Sequence, residues 1–206
     1  MNKKMQFPKN FMWGVATSSY QIEGASKVDG KGLSVWDTFS HVPGNIRNND
    51  TGDTACNHYY LWRKDLNLLK NLGVNSYRFS ISWPRILPKG KENKPNQKGL
   101  DFYSRLVDNL LEMKITPFIT LNHWDIPQGL EDEGGWTKRM MVDAFVGYSY
   151  HMSKHLGDRV IHWITHNEPW CVSHIGYVIG SKPPGLKNNW AKSIAAAHHL
   201  LLSHGK

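Results

Sequence analysis

Short apolar runs alternate along this chain with longer stretches in which apolar residues recur every three or four positions. Residues 11–16, Phe-Met-Trp-Gly-Val-Ala, read as a short buried strand, and the polar segment 17–24 reads as a loop. Residues 25–53 are rich in Gly, Asn and Asp, read as irregular, and end at the candidate helix caps Asp53 and Thr54. Trp62, Leu66, Leu69 and Leu72 then repeat at helical spacing, with Gly73 where a left-handed cap is wanted. Residues 74–81 predict a second strand ending before Trp83-Pro84, and Leu100, Tyr103, Val107, Leu110 and Met113 mark the next helix. Residues 115–121 predict a third strand, closed by Asn122-His123-Trp124-Asp125 and Pro127. Thr137 reads as the cap of a helix through Val142, Phe145, Ser149, Met152 and Leu156, stopped by Gly157. Val160, Ile161, Trp163 and Ile164 have the composition of a strand buried on both faces, and Ile194, Ala197 and Leu201 mark a last helix over 190–204.

Strand, loop and helix therefore repeat about four times, the order that builds a parallel sheet with right-handed crossovers. Each strand-to-helix loop is longer than each helix-to-strand loop, as in a (β/α)8 TIM barrel, whose functional loops all lie at one end. Such a barrel needs eight strands and typically about 250 residues. This α/β chain of 206 residues supplies only about the first four βα units, read as a single domain over 1–206. Alone, it should present two exposed parallel edge strands and an uncovered apolar inner face.

Pro169 fixes where the fourth strand delivers its chemistry, because a proline ring removes a ladder donor. Asn167 and Glu168 are thereby expected at that strand's carboxyl end, the end at which parallel α/β proteins bind ligands. Gln21 follows the first strand, Arg78 lies in the second, and His123-Trp124 follow the third. Neighbouring parallel strands would bring these side chains to one rim, giving donors, acceptors and an aromatic face beside one carboxyl group. That mixture suits a polyhydroxylated ligand. Singly, each residue also has a plain structural use as a turn cap, a neutralising charge or a packing group.

Net charge of +8 raises the possibility of a nucleic-acid surface, but its lysines do not form one. Lys3, Lys4, Lys9, Lys89, Lys91, Lys94 and Lys98 fall in the amino-terminal tail and one loop, without an Arg-rich stripe. No apolar run approaches the ~18 residues of a membrane span, and the start Met-Asn-Lys-Lys-Met-Gln-Phe-Pro lacks the apolar centre of a secretory leader, so the expected location is the cytoplasm. Cys56 and Cys171 lack Cys-x-x-Cys spacing and are expected to be free, mostly buried thiols. His151 and His155 stand four apart on a helix without a following glutamate, so they are read as solvated and not as metal ligands. Nothing in the chain calls for a metal or another cofactor.

The segment Thr165-His166-Asn167-Glu168-Pro169 resembles the Thr-x-Asn-Glu-Pro motif of family 1 glycoside hydrolases, the β-glucosidase type, with His166 where Leu or Phe is usual. Phe7-Pro8 with residues 11–24, residues 77–86 and residues 123–128 resemble other signatures of that family, so the likeness covers nearly the whole chain. By this resemblance Glu168 is the acid/base, Arg78 orients the nucleophile, and Gln21, His123, Trp124 and Asn167 bind the sugar. The implied environment of Glu168 is buried and close to a second carboxylate. Thr17-Ser18-Ser19-Tyr20-Gln21, where many phospho-sugar members carry Ala-Ala-Asn-Gln, implies an unphosphorylated β-glucoside or oligosaccharide. The family nucleophile stands in a later Glu-Asn-Gly segment, a tripeptide this chain does not contain. The expectation is thus an amino-terminal half that supplies the acid/base side and is inactive alone: first a fragment of a longer gene product, or else a half that takes a complementing carboxyl-terminal half as partner, or one of a pair of identical halves forming a pseudo-barrel. The competing reading is a non-catalytic sugar-binding fragment.

Overall fold

The computed structural model describes residues 6–206, so Lys3 and Lys4 lie outside the described residues. In chain order the elements are β1 (Gly14–Ala16), the short helices α1 (Ser19–Ile22) and α2 (Val35–Ser40), and a 3-10 turn (Arg47–Asn49). Then come α3 (His58–Leu72), β2 (Ser76–Ser80), α4 (Trp83–Ile86), α5 (Gln97–Glu112), β3 (Thr116–Asn122), α6 (Gln128–Asp132) and a second 3-10 turn (Gly135–Thr137). The series ends with α7 (Met140–Leu156), β4 (His162–His166), a π-helix (Cys171–Ile179) and α8 (Trp190–His204).

The strands pair in parallel in the order β1-β2-β3-β4, and the register aligns Ala16, Arg78, Phe118 and His162 across the sheet. β2 shows why the sheet has two unlike faces. Tyr77 and Phe79 are buried in the hydrophobic core, while Arg78 between them points the other way and donates from Nε to Thr120 Oγ1 at 2.9 Å. Helices α3, α5, α7 and α8 form a row, each touching the next. Leu66, Leu106, Val107, Leu110, Tyr148, Met152 and Leu156 from that row are fully buried with Ile119 of the sheet.

Several local expectations change in the structure. The segment 17–24 contains α1, and the stretch 25–53 contains α2. α2 starts in a capping box: Ser34 Oγ accepts from the Asp37 N–H, the Asp37 carboxylate accepts from the Ser34 N–H, and Lys31 Nζ lies 2.7 Å from that carboxylate. The caps expected at Asp53 and Thr54 give way to Asn57, whose left-handed backbone (φ 57°) an Asn tolerates better than most residues. A turn that closes from the Asn57 N–H to the Thr54 carbonyl occupies the residues between. Gly73 does take the left-handed cap, with φ 73°. Thr137 sits in the second 3-10 turn and donates to the Gly134 carbonyl, so α7 begins beyond it, after Arg139.

β4 corrects the expectation of a strand buried on both faces. It is hydrogen-bonded on one side only, to β3, all its residues are half-buried, and Ile161 just before it is 80% exposed. Both cysteines are free, but Cys56 is exposed and Cys171 is half-buried. His151 and His155 are also half-buried. The end helices of the row each leave apolar residues exposed, Leu68 and Leu72 on α3 and Ile194 and Leu201 on α8. Exposed sheet edges are what half of a barrel should show, but the exposed apolar residues lie on the end helices, and the sheet face opposite Tyr77 and Phe79 carries the polar pair Arg78 and Thr120.

One buried ion pair fastens the first long loop to the rest. Arg85 Nε donates to Glu23 Oε2 at 3.0 Å, with both side chains almost fully buried, and Arg85 Nη2 donates to the Gly24 carbonyl at 3.2 Å. The guanidinium lies 4.2 Å from the centre of the Tyr59 ring, and Tyr103 Oη donates to the other Glu23 oxygen. The buried positive charge of Arg85 is thereby neutralised, and the chain two residues after Gln21 is pinned. Arg85→Ala should leave Glu23 buried without its partner and destabilise the protein by about 3–5 kcal/mol, measured by denaturant unfolding.

Candidate active site

The carboxyl ends of the four strands are laced together by short polar side chains. Ser19, just after β1, donates from its backbone N–H to Ser80 Oγ at 2.8 Å and from its hydroxyl to Asp125 Oδ2 at 2.6 Å. The Ser80 hydroxyl in turn donates to Ser19 Oγ at 3.0 Å. This chain joins the ends of β1, β2 and β3. Burial pushes the Asp125 carboxyl up to about 7, against the hydrogen bond from Ser19 that favours its ionised form.

Arg78 carries the lacing to β4. Its Nη2 donates to Asn167 Oδ1 at 2.6 Å while its Nε holds Thr120 of β3. The Asn167 N–H donates to the Asn122 carbonyl at 2.9 Å, and the Asn167 carbonyl accepts from Trp124 Nε1 at 2.8 Å. Asn167 is therefore fixed from three sides, and its side-chain NH2 donates to no partner among the described residues. Gln21 Oε1 accepts from Ser18 Oγ at 2.7 Å, and Gln21, His123 and Trp124 share the lining of a cavity of about 310 Å³. The Trp124 ring stacks near Trp36, at 6.4 Å between centroids, and Lys182 Nζ lies 3.6 Å from the Trp124 centroid.

Two residues that follow strand ends are held in the left-handed region, Trp124 with φ 75° and Glu168 with φ 43°. Neither is a glycine or an asparagine, so each position stores strain of about 1–3 kcal/mol that the surrounding hydrogen bonds must hold in place. Glu168 stands at the rim directly after Asn167, as expected, but it is exposed, and the buried setting implied for it is absent from this chain. Cys171 Sγ donates to Glu168 Oε2 at 3.3 Å, and the Cys171 N–H donates to the Glu168 carbonyl at 2.8 Å.

All six residues expected at the site thus meet at one end of the sheet, linked by direct contacts or through shared neighbours. Trp36, Lys182 and the Cys171 contact were not foreseen. The spacing Ser34-Val35-Trp36-Asp37 is a capping-box signal that could have placed Trp36 on a helical first turn. Lys182 lies before Pro183-Pro184-Gly185 and has no comparable signal. His166, in the variable position of its motif, stacks on Phe145 at 4.5 Å and contacts Asn122 at 3.1 Å and Ser203 at 2.9 Å. It joins β4 to α7 and α8, and burial lowers it to about 4.

His123 reports on the charges around it. Burial and then the Arg78 charge lower it from an ordinary value near 6.5 to about 4; the Glu168 carboxylate opposes this and Lys182 adds to it. The folded state therefore favours the neutral ring, and stability present above pH 6.5 is lost as pH falls toward about 4. NMR titration of the His123 ring should give a midpoint near 4, moved lower by Glu168→Gln and raised by Arg78→Met. A midpoint near 6.5, insensitive to either substitution, would contradict the arrangement.

Comparison with known proteins agrees with this architecture. The model for glycosyl hydrolase family 1 matches residues 3–206. A 1,4-beta-D-glucan glucohydrolase of Thermotoga neapolitana is 53% identical over 201 residues, 98% of this chain and 47% of that protein. Beta-glucosidase A of Thermotoga maritima is 52% identical over 206 residues, all of this chain and 46% of that protein. The solved structure of a Thermotoga maritima beta-glucosidase in complex with deoxynojirimycin superposes with a TM-score of 0.94 at 53% identity, covering 96% of this chain and 44% of that one. The chain spans about half the length of the curated relatives it matches. Its four strands in β1-β2-β3-β4 order are the first four βα units of their barrel, and the chain belongs to glycosyl hydrolase family 1.

Proposed function

We propose that this chain is the acid/base half of a retaining β-glucosidase that hydrolyses terminal β-D-glucosides. The observation that carries the reading is the bracing of Asn167 by Arg78 and Trp124 directly beside Glu168, with His123 close enough to sense both charges. The free NH2 of Asn167 is a donor for a sugar hydroxyl next to the reacting bond. Gln21 and the neutral ring of His123 offer further hydrogen bonds, and Trp124 contributes to the wall of the same cavity.

In this mechanism Glu168 gives its proton to the leaving glycosidic oxygen while a carboxylate about 5–5.5 Å away attacks the anomeric carbon. Glu168 then removes a proton from the water that releases the sugar. Arg78, with two of its nitrogens on Thr120 and Asn167, has Nη1 left to hold that second carboxylate. The second carboxylate is supplied by a complementing carboxyl-terminal half, so residues 1–206 form one domain that does not turn over substrate alone. Two free thiols suit a reducing cytoplasm, and no helix among the described residues is long and apolar enough to cross a membrane.

In protein containing both halves, Glu168→Gln should lower kcat/KM on an aryl β-glucoside with a poor leaving group by about 10²–10⁴-fold. The loss in kcat/KM should be much smaller when the leaving group needs no proton, while kcat on that substrate should still fall, because water must be activated, and added azide should restore it. Equal loss on both substrates, or strong turnover by the chain alone, would contradict the assignment.

A further inference from the structure

We propose that Cys171 is a positioning residue for Glu168, holding one carboxyl oxygen so that the other remains open to the transferred proton. This deepens the acid/base reading and rests on it. The geometry is a two-point grip. Cys171 stands three residues after Glu168, and its backbone N–H is on the Glu168 carbonyl at 2.8 Å while its thiol is on Oε2 at 3.3 Å. The left-handed backbone of Glu168 (φ 43°) bends the chain between the two residues, with Pro169 the next residue. Glu168 Oε1 accepts no hydrogen bond among the described residues.

An exposed glutamate has free rotamers, and holding one of them costs side-chain entropy that a single contact can offset. Acid/base catalysis uses the same carboxyl twice, first to give and then to take a proton, so one fixed orientation serves both steps. Two charged groups face the thiol: Glu168 from its own turn and Lys182 from the loop after the π-helix. Burial raises the thiol, the Glu168 hydrogen bond raises it further, and Lys182 opposes both. The contact can therefore be read from either end.

Iodoacetamide alkylation across pH 6–10, resolved by peptide mass spectrometry, compares Cys171 with exposed Cys56 in the whole chain. The Cys171 profile should lie at higher pH than that of Cys56. Glu168→Gln should speed Cys171 several-fold at pH 8 and shift its profile to lower pH, Lys182→Met should shift it to higher pH, and neither should move Cys56. Three-bond NMR couplings of Glu168 should report one χ1 rotamer in wild type and in Cys171→Ser, and an average in Cys171→Ala. The proposal is overturned if Glu168→Gln leaves the Cys171 profile in place or moves both cysteines alike, or if Cys171→Ala leaves the rotamer unchanged. These readouts need no turnover, so they can fail while Glu168 proves to be the acid/base, and can hold while that role fails.

Discussion

A single guanidinium holds the working end of this sheet in register. Arg78 leaves β2, touches Thr120 on β3 and reaches Asn167 beyond β4, so one side chain spans three strands. Hydrogen bonds with a charged partner contribute about 1.5–3 kcal/mol each, more than a neutral pair. The Ser19, Ser80 and Asp125 chain does the same for the ends of β1, β2 and β3 with weaker bonds. Together they convert a backbone property, parallel strands in sequential order, into a side-chain property, a rim on which distant parts of the sequence meet.

That lacing also explains how two unfavourable backbone conformations persist. Trp124 and Glu168 both have positive φ, and each sits one or two residues from an anchored asparagine. Asn122 Oδ1 accepts from the Trp124 N–H at 3.2 Å, and the Asn122 carbonyl accepts from the Asn167 N–H. The strain lies where a ring and a carboxyl must be aimed out of the sheet plane. Burial, helped by the positive charges of Arg78 and Lys182, keeps the His123 ring neutral at ordinary pH. A neutral imidazole can both donate and accept, as a sugar hydroxyl requires.

Much of this was legible in the chain because it rests on local rules. Apolar runs bounded by Pro84, Pro127 and Pro169 located the strands, helical spacing found α3, α5, α7 and α8, and Gly73 marked a cap. The rim residues followed once the strands were taken as parallel neighbours. What could not be read depended on partners distant in sequence. The half-burial of β4 reflects its single hydrogen-bonded neighbour, and Glu168, expected to be buried, stands exposed just past that same edge strand. Asn57 displaced Asp53 and Thr54 as the α3 cap through a backbone turn that side-chain preferences do not reveal. His166 looked like an oddity in its motif, and its stacking on Phe145 shows a packing role at the edge of the core.

The account depends on Arg78 and Asn167 acting as a coupled pair across the sheet. A double-mutant cycle with Arg78→Met, Asn167→Ala and both together, read by denaturant unfolding, measures that coupling directly. We expect a coupling energy of about 1–3 kcal/mol, favourable in the wild-type pair. Strictly additive effects would show that the two side chains do not brace one another, and the rim described above would lose its foundation.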